Sequence, residues 1–103
     1  MNRVEMLTQI LDQNPSDAFA RYGLAMEHAK AGDVETAMQE FVKLLEVHPD
    51  YAAGYFMAAQ TLAKAGRNDE AKNYLQNGIA AAARTGNAHA KGEMEAMLEE
   101  LSY

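Results

Sequence analysis

Apolar residues recur every three or four positions through most of this chain, in runs separated by short polar breaks. That rhythm places one face of a helix against a core, whereas strict alternation would mark a strand. Six runs carry it. The first spans 3–13, with Leu7, Ile10 and Leu11 in step. The second spans about 17–31. The third, 34–47, sets Val34, Ala37, Met38, Phe41, Leu44 and Leu45 on one face. The fourth, Ala52 to Lys64, has only Gln60, Thr61 and Lys64 as polar residues. A helix so apolar must be covered on several sides. A fifth restarts at Asn68 or Asp69, and the last spans 88–101, with Ala90, Met94, Met97, Leu98 and Leu101 inward. Its Glu93, Glu95, Glu99 and Glu100 are expected to face water. No run alternates as a strand does.

The breaks carry helix punctuation. Pro15 and Pro49 end the helices before them. Ser16, Asp33 and Asp50 are the expected N-caps of the helices that follow, and Gly32 and Gly66 the left-handed stops. A proline expected near 83 is replaced by Ala83, and no breaker follows until Gly86. The fifth helix should therefore outrun the third. Asn77-Gly78 has the composition of a hairpin turn, but helical spacing continues on both sides. Gly78 is expected to permit close helix packing instead.

The chain also resembles itself. The tetrapeptide AKAG occurs at Ala29–Gly32 and again at Ala63–Gly66, an offset of 34 residues. The pairs Pro15/Pro49, Tyr22/Phe56, Ala25/Ala59, Ala37/Ala71, Phe41/Leu75 and Leu45/Ile79 keep the same offset. Small residues stay opposite small ones and large opposite large. Leu7, Ile10 and Leu11 likewise match Phe41, Leu44 and Leu45, so the first helix resembles the later part of a second helix.

Two helix-turn-helix units at this period resemble the tetratricopeptide repeat family, whose pattern is W-x2-L-G-x2-Y, then A-x3-F, then P. The first unit carries Leu24-Ala25-x2-His28, Ala37-x3-Phe41 and Pro49; the second carries Ala58-Ala59-x2-Leu62 and Ala71-x3-Leu75. Arg21 and Tyr55 stand in place of the tryptophan. The resemblance implies an all-α, antiparallel helix-pair solenoid, a right-handed superhelix of about six helices. The expected organisation is one domain over 1–103: a partial-repeat helix at 1–14, repeats at 17–50 and 51–84, and a capping helix at 87–101.

Charge and composition narrow the function. A formal net charge of -6 repels phosphate backbones, so nucleic acid is not an expected partner. There is no cysteine, hence no disulfide or thiolate metal site. No apolar run is long enough to span a membrane and no secretory signal is evident, so a cytoplasmic protein is expected. His28 sits at an aromatic packing position, His48 precedes Pro49, and His89 opens the last helix. None has a partner at metal-ligand spacing. The expectation is a non-enzyme without cofactor or metal.

In the family that the chain resembles, the first helices of successive units line a concave groove for a peptide or helical segment. The resemblance therefore implies a groove formed by Phe19, Tyr22, Met26, Phe56 and Gln60, with Lys30 and Lys64 at its end. Spacing groups these residues independently: Phe19, Tyr22 and Met26 fall at i, i+3 and i+7. A core role for Phe19 and Phe56 fits the same pattern, and Lys30 and Lys64 also suit the negative helix ends they occupy. The expected function is a protein-protein interaction module or adaptor. The alternative is a self-associating structural domain, a homodimer for example, that uses the same apolar strip.

Overall fold

The computed structural model describes all 103 residues, and its architecture is all-α. The six helices are α1 (Arg3–Gln13), α2 (Ala18–Lys30), α3 (Val34–Val47), α4 (Ala52–Lys64), α5 (Asn68–Arg84) and α6 (Ala88–Leu101). The chain forms two compact units, Met1–His48 and Pro49–Tyr103. In the first, α2 packs against both α1 and α3; in the second, α5 packs against both α4 and α6. No helix is long and apolar enough to cross a membrane.

The glycines expected to stop helices do so by one device used three times. Gly32, Gly66 and Gly86 have φ of +81°, +80° and +68°. At each, the glycine N–H bonds the carbonyl three residues back, and the next N–H bonds the carbonyl five back: Gly32 to Ala29 and Asp33 to His28, Gly66 to Ala63 and Arg67 to Leu62, Gly86 to Ala83 and Asn87 to Ala82. This is a Schellman closure, which satisfies carbonyls that the helix end would orphan. The residue after each glycine is the N-cap of the next helix. Asp33 and Asn87 accept from Thr36 N and Ala90 N with their side chains. Arg67 cannot accept, so its guanidinium pairs instead with Glu70, Nε to Oε2 at 2.6 Å and Nη2 to Oε1 at 2.8 Å. That pairing holds the Glu70 carboxyl below its ordinary range.

Two caps differ from expectation. Asp17, not Ser16, caps α2, its carboxylate accepting from Ala20 N at 2.9 Å. The Ser16 hydroxyl is engaged by Asn14 Oδ1. Asp50 does not cap α4; Tyr51 holds the N-cap position without a side-chain cap bond. The Asp50 carboxylate instead accepts from Arg84 Nε and Nη2 at 3.0 and 2.8 Å. A guanidinium giving two charge-assisted bonds to Oδ1 is a stronger partner than one backbone N–H.

The core follows the repeat. Ala25, Ala37 and Phe41 in the first unit, and Ala59, Ala71 and Leu75 in the second, are all 0% exposed. Alanine at these positions brings helix axes close, and the large residue one turn on fills the adjoining groove. α5 is 17 residues long against 14 for α3, as the missing proline predicts. Gly78 lies inside it, not in a turn. A Cβ there would meet Met94 Sδ at 2.5 Å and Tyr55 Cβ at 2.6 Å. The methionine can move aside, but a Tyr55 Cβ is tied to the α4 backbone. Gly78→Ala should therefore destabilise the protein by about 1–3 kcal/mol, although alanine is the better helix former. Urea unfolding checks this; a stabilised variant would show that α4 and α5 do not approach closely at this point.

Sequence spacing did not anticipate one buried polar contact. Arg21 Nη1 donates to Glu40 Oε2 at 2.8 Å, and Arg21 Nη2 donates to the Pro15 carbonyl at 3.1 Å. The pair side chains are only 18% and 11% exposed. One repeat later, the same positions hold Tyr55 and Tyr74. The Tyr55 hydroxyl donates to the Pro49 carbonyl at 2.7 Å, reproducing the bond Arg21 makes to Pro15. Burial, with help from Glu70, pushes the Tyr74 hydroxyl above its ordinary value. An ion pair in one unit is thus replaced by two aromatics in the other. Glu40→Ala should leave Arg21 desolvated without its carboxylate and cost about 1–3 kcal/mol. Arg21→Tyr combined with Glu40→Tyr should recover most of that loss in a double-mutant cycle. Equal losses in the single and double variants would contradict the equivalence of the two sites.

Candidate functional site

The seven candidate residues fall on α2 and α4, the first helices of the two repeats. On α2, Phe19, Tyr22, Met26 and Lys30 follow one another at intervals of three and four and form one stripe. On α4, Phe56, Gln60 and Lys64 do the same, with Ala53 at the place that Phe19 takes on α2. The stripe lies beside the buried side of each helix. Arg21 and Ala25, or Tyr55 and Ala59, are one residue away in sequence and turn toward the second helix.

Exposure distinguishes the stripe from the core. Phe19 is 69% exposed. Tyr22, Met26, Phe56 and Gln60 are half-buried, and Lys30 and Lys64 are exposed. The core reading of Phe19 is thereby overturned, and Phe56 is not sealed either. A half-buried Tyr or Met offers contact area without the entropy cost of ordering a loop. Lys30 Nζ stands 3.5 Å from Glu27 Oε2. Such an exposed i,i+3 pair holds its partner weakly.

A concavity with a volume near 260 Å³ lies in the first unit. It is lined by the Pro15–Asp17 loop, Arg21 and the end of α3 from Lys43 to His48, and by none of the seven candidates. His48 Nε2 bridges it to the Ser16 carbonyl at 2.7 Å. This joint closes the helix pair, much as Arg84 reaching Asp50 and the Pro49 carbonyl closes the other unit. No group of three or more His, Asp or Glu side chains is placed to hold a metal ion. His89 meets only Glu93, at 3.3 Å on the exposed side of α6.

The joints made by His48 and Arg84 have no direct sign in the sequence, whereas the Arg21–Glu40 pair has one. The available signal was Glu40. It sits on a buried face between Ala37 and Leu44, where a carboxylate needs a cation, and Arg21 occupies the facing position of the repeat.

Residues 28–92 match the family model described as tetratricopeptide repeat. A TPR repeat-containing protein of Pseudomonas aeruginosa is 31% identical over 98 residues, covering 95% of this chain and 93% of that protein. The tetratricopeptide repeat domain protein of Salinibacter ruber, solved in solution, is 30% identical with a TM-score of 0.79, covering 85% of this chain and 89% of its own. PcrH, solved in complex with the chaperone binding region of PopD, has the same fold at 21% identity and a TM-score of 0.88, covering 96% of this chain and 75% of its own. With the 34-residue register, the three closure motifs and these likenesses together, the chain belongs to the tetratricopeptide repeat family.

Proposed function

We propose that the protein is an interaction module that binds an extended or helical segment of a partner protein along the first-helix stripes. The observation that carries this is the matched openness of two helices. Phe19, Tyr22, Met26 and Lys30 on α2 and Ala53, Phe56, Gln60 and Lys64 on α4 occupy the same four repeat positions, and none is buried. Beside the stripe, Ala20, Gly23 and Ala25 on α2 and Gly54, Tyr55, Ala59 and Thr61 on α4 are buried. Two helices of one sequence period that leave the same stripe uncovered offer a surface rather than a packing defect. The fold it shares with PcrH, which is seen with a segment of another protein, is in keeping with this reading.

The chemistry of the stripe defines the ligand class. Aromatic and thioether side chains select apolar anchors, spaced as on a helix or an extended strand. The two lysines at the stripe ends favour a segment with acidic residues beyond those anchors.

Peptides selected against the wild type from a displayed random library should lose about ten-fold or more in affinity for a Tyr22→Glu, Met26→Glu variant. Circular dichroism should stay helical. Gln39→Glu, on the exposed side of α3, serves as the control and should bind normally. Undiminished binding by the doubly charged variant would remove the stripe from the function.

A further inference from the structure

α1 and α6 are each half of a helix pair. Pro15 closes α1 as Pro49 closes α3, so the repeat register sets Arg3, Met6, Leu7 and Ile10 on Ala37, Glu40, Phe41 and Leu44. α1 is thus a second helix by type. On α3, Glu40 and Leu44 are 8% and 1% exposed, and Glu40 pairs with Arg21 of α2. This is the side that a second helix turns to the first helix of its own pair. On α1 the same side carries Met6 and Ile10, at 49% and 40% exposure.

α6 is the converse. Its N-cap, Asn87, stands where Asp17 and Tyr51 stand for α2 and α4. Eight residues beyond these caps lie Ala25, Ala59 and Glu95. Ala25 and Ala59 are fully buried, on the side of a first helix that receives its second helix. Glu95 on that side of α6 is exposed, next to half-buried Lys91 and Leu98.

We propose that α6 of one copy and α1 of the next complete a helix pair, so that the protein associates with itself head to tail. Two independent features fit the halves together. One is the apolar Met6 and Ile10, which would lie against Leu98 and the aliphatic stem of Lys91. The other is charge. Where complete pairs carry the buried Ala25 on the first helix and Ala37 on the second, the two open halves carry Glu95 and Arg3. Arg3 now has a loose partner, Nε lying 3.9 Å from Glu27 Oε2 with the side chain 54% exposed. An Arg–Glu crossing is wider than an alanine one, and it specifies the partner by sign. The contact joins two different patches, so it builds rings or open chains and not a symmetric dimer. It leaves the first-helix stripes free, and its failure would not touch the peptide-binding reading.

Sedimentation at 0.15 M salt, from micromolar to about 1 mM chain, tests this. The wild type should gain mass with concentration. Arg3→Glu alone and Glu95→Arg alone should each weaken association about ten-fold or more. A 1:1 mixture of these two variants should associate again, because each then offers the complement of the other. Arg3→Glu combined with Glu95→Arg in one chain should also associate. Should Arg3→Glu disturb folding by circular dichroism, Met6→Glu with Ile10→Glu takes its place, and its mixture with Glu95→Arg should stop at a dimer, because only one intact α6 and one intact α1 remain to pair. A wild type that stays monomeric throughout, or association indifferent to both charge reversals, overturns the proposal.

Discussion

The close approach of helices at alanine and glycine supports everything else in this protein. Ala25, Ala37, Ala59, Ala71 and Gly78 are small where axes come together, and each is buried. Interiors are packed nearly as densely as organic crystals, so a larger side chain at such a point must displace backbone. Phe41, Leu44, Leu62 and Leu75 then fill what the small residues leave, and all four are at most 1% exposed. With the large side chains spent on the pair interior, the next residue along each first helix is left at the margin. The open stripe is a consequence of how the pairs close.

Around that constraint the two units solve the same problem with different chemistry. The corner opening a unit needs a donor for the proline carbonyl, and a guanidinium supplies it at Pro15 while a phenol supplies it at Pro49. Choosing arginine then demands a carboxylate at Glu40, since a desolvated cation is costly alone. Choosing tyrosine permits Tyr74 opposite. The end of each second helix is tied back in the same spirit, by His48 in one unit and Arg84 in the other. Repeats conserve geometry and leave the polar groups that meet it free to vary.

Legibility of the candidate site in the sequence was uneven. The stripe positions were readable because 22 and 56, 26 and 60, and 30 and 64 share the period and fall on one side of a helix. Whether a side chain there is core or surface was not readable. Phe19 and Leu24 are both large apolar residues on α2, yet one is 69% and the other 7% exposed. Burial depends on which neighbour covers the residue, and neighbours come from other helices.

The sequence alone determined the number of helices, their limits to within a residue or two, the repeat and its family. These are local properties: 3.6-residue periodicity, proline and glycine chemistry, and a 34-residue offset all act over short separations. Tertiary structure decided the rest. It drew Asp50 away from α4 to Arg84 and buried Arg21 with Glu40. Each of these is a competition between a local partner and one brought close only by folding. The stronger charge-assisted bond wins it, and no window along the chain contains both contestants.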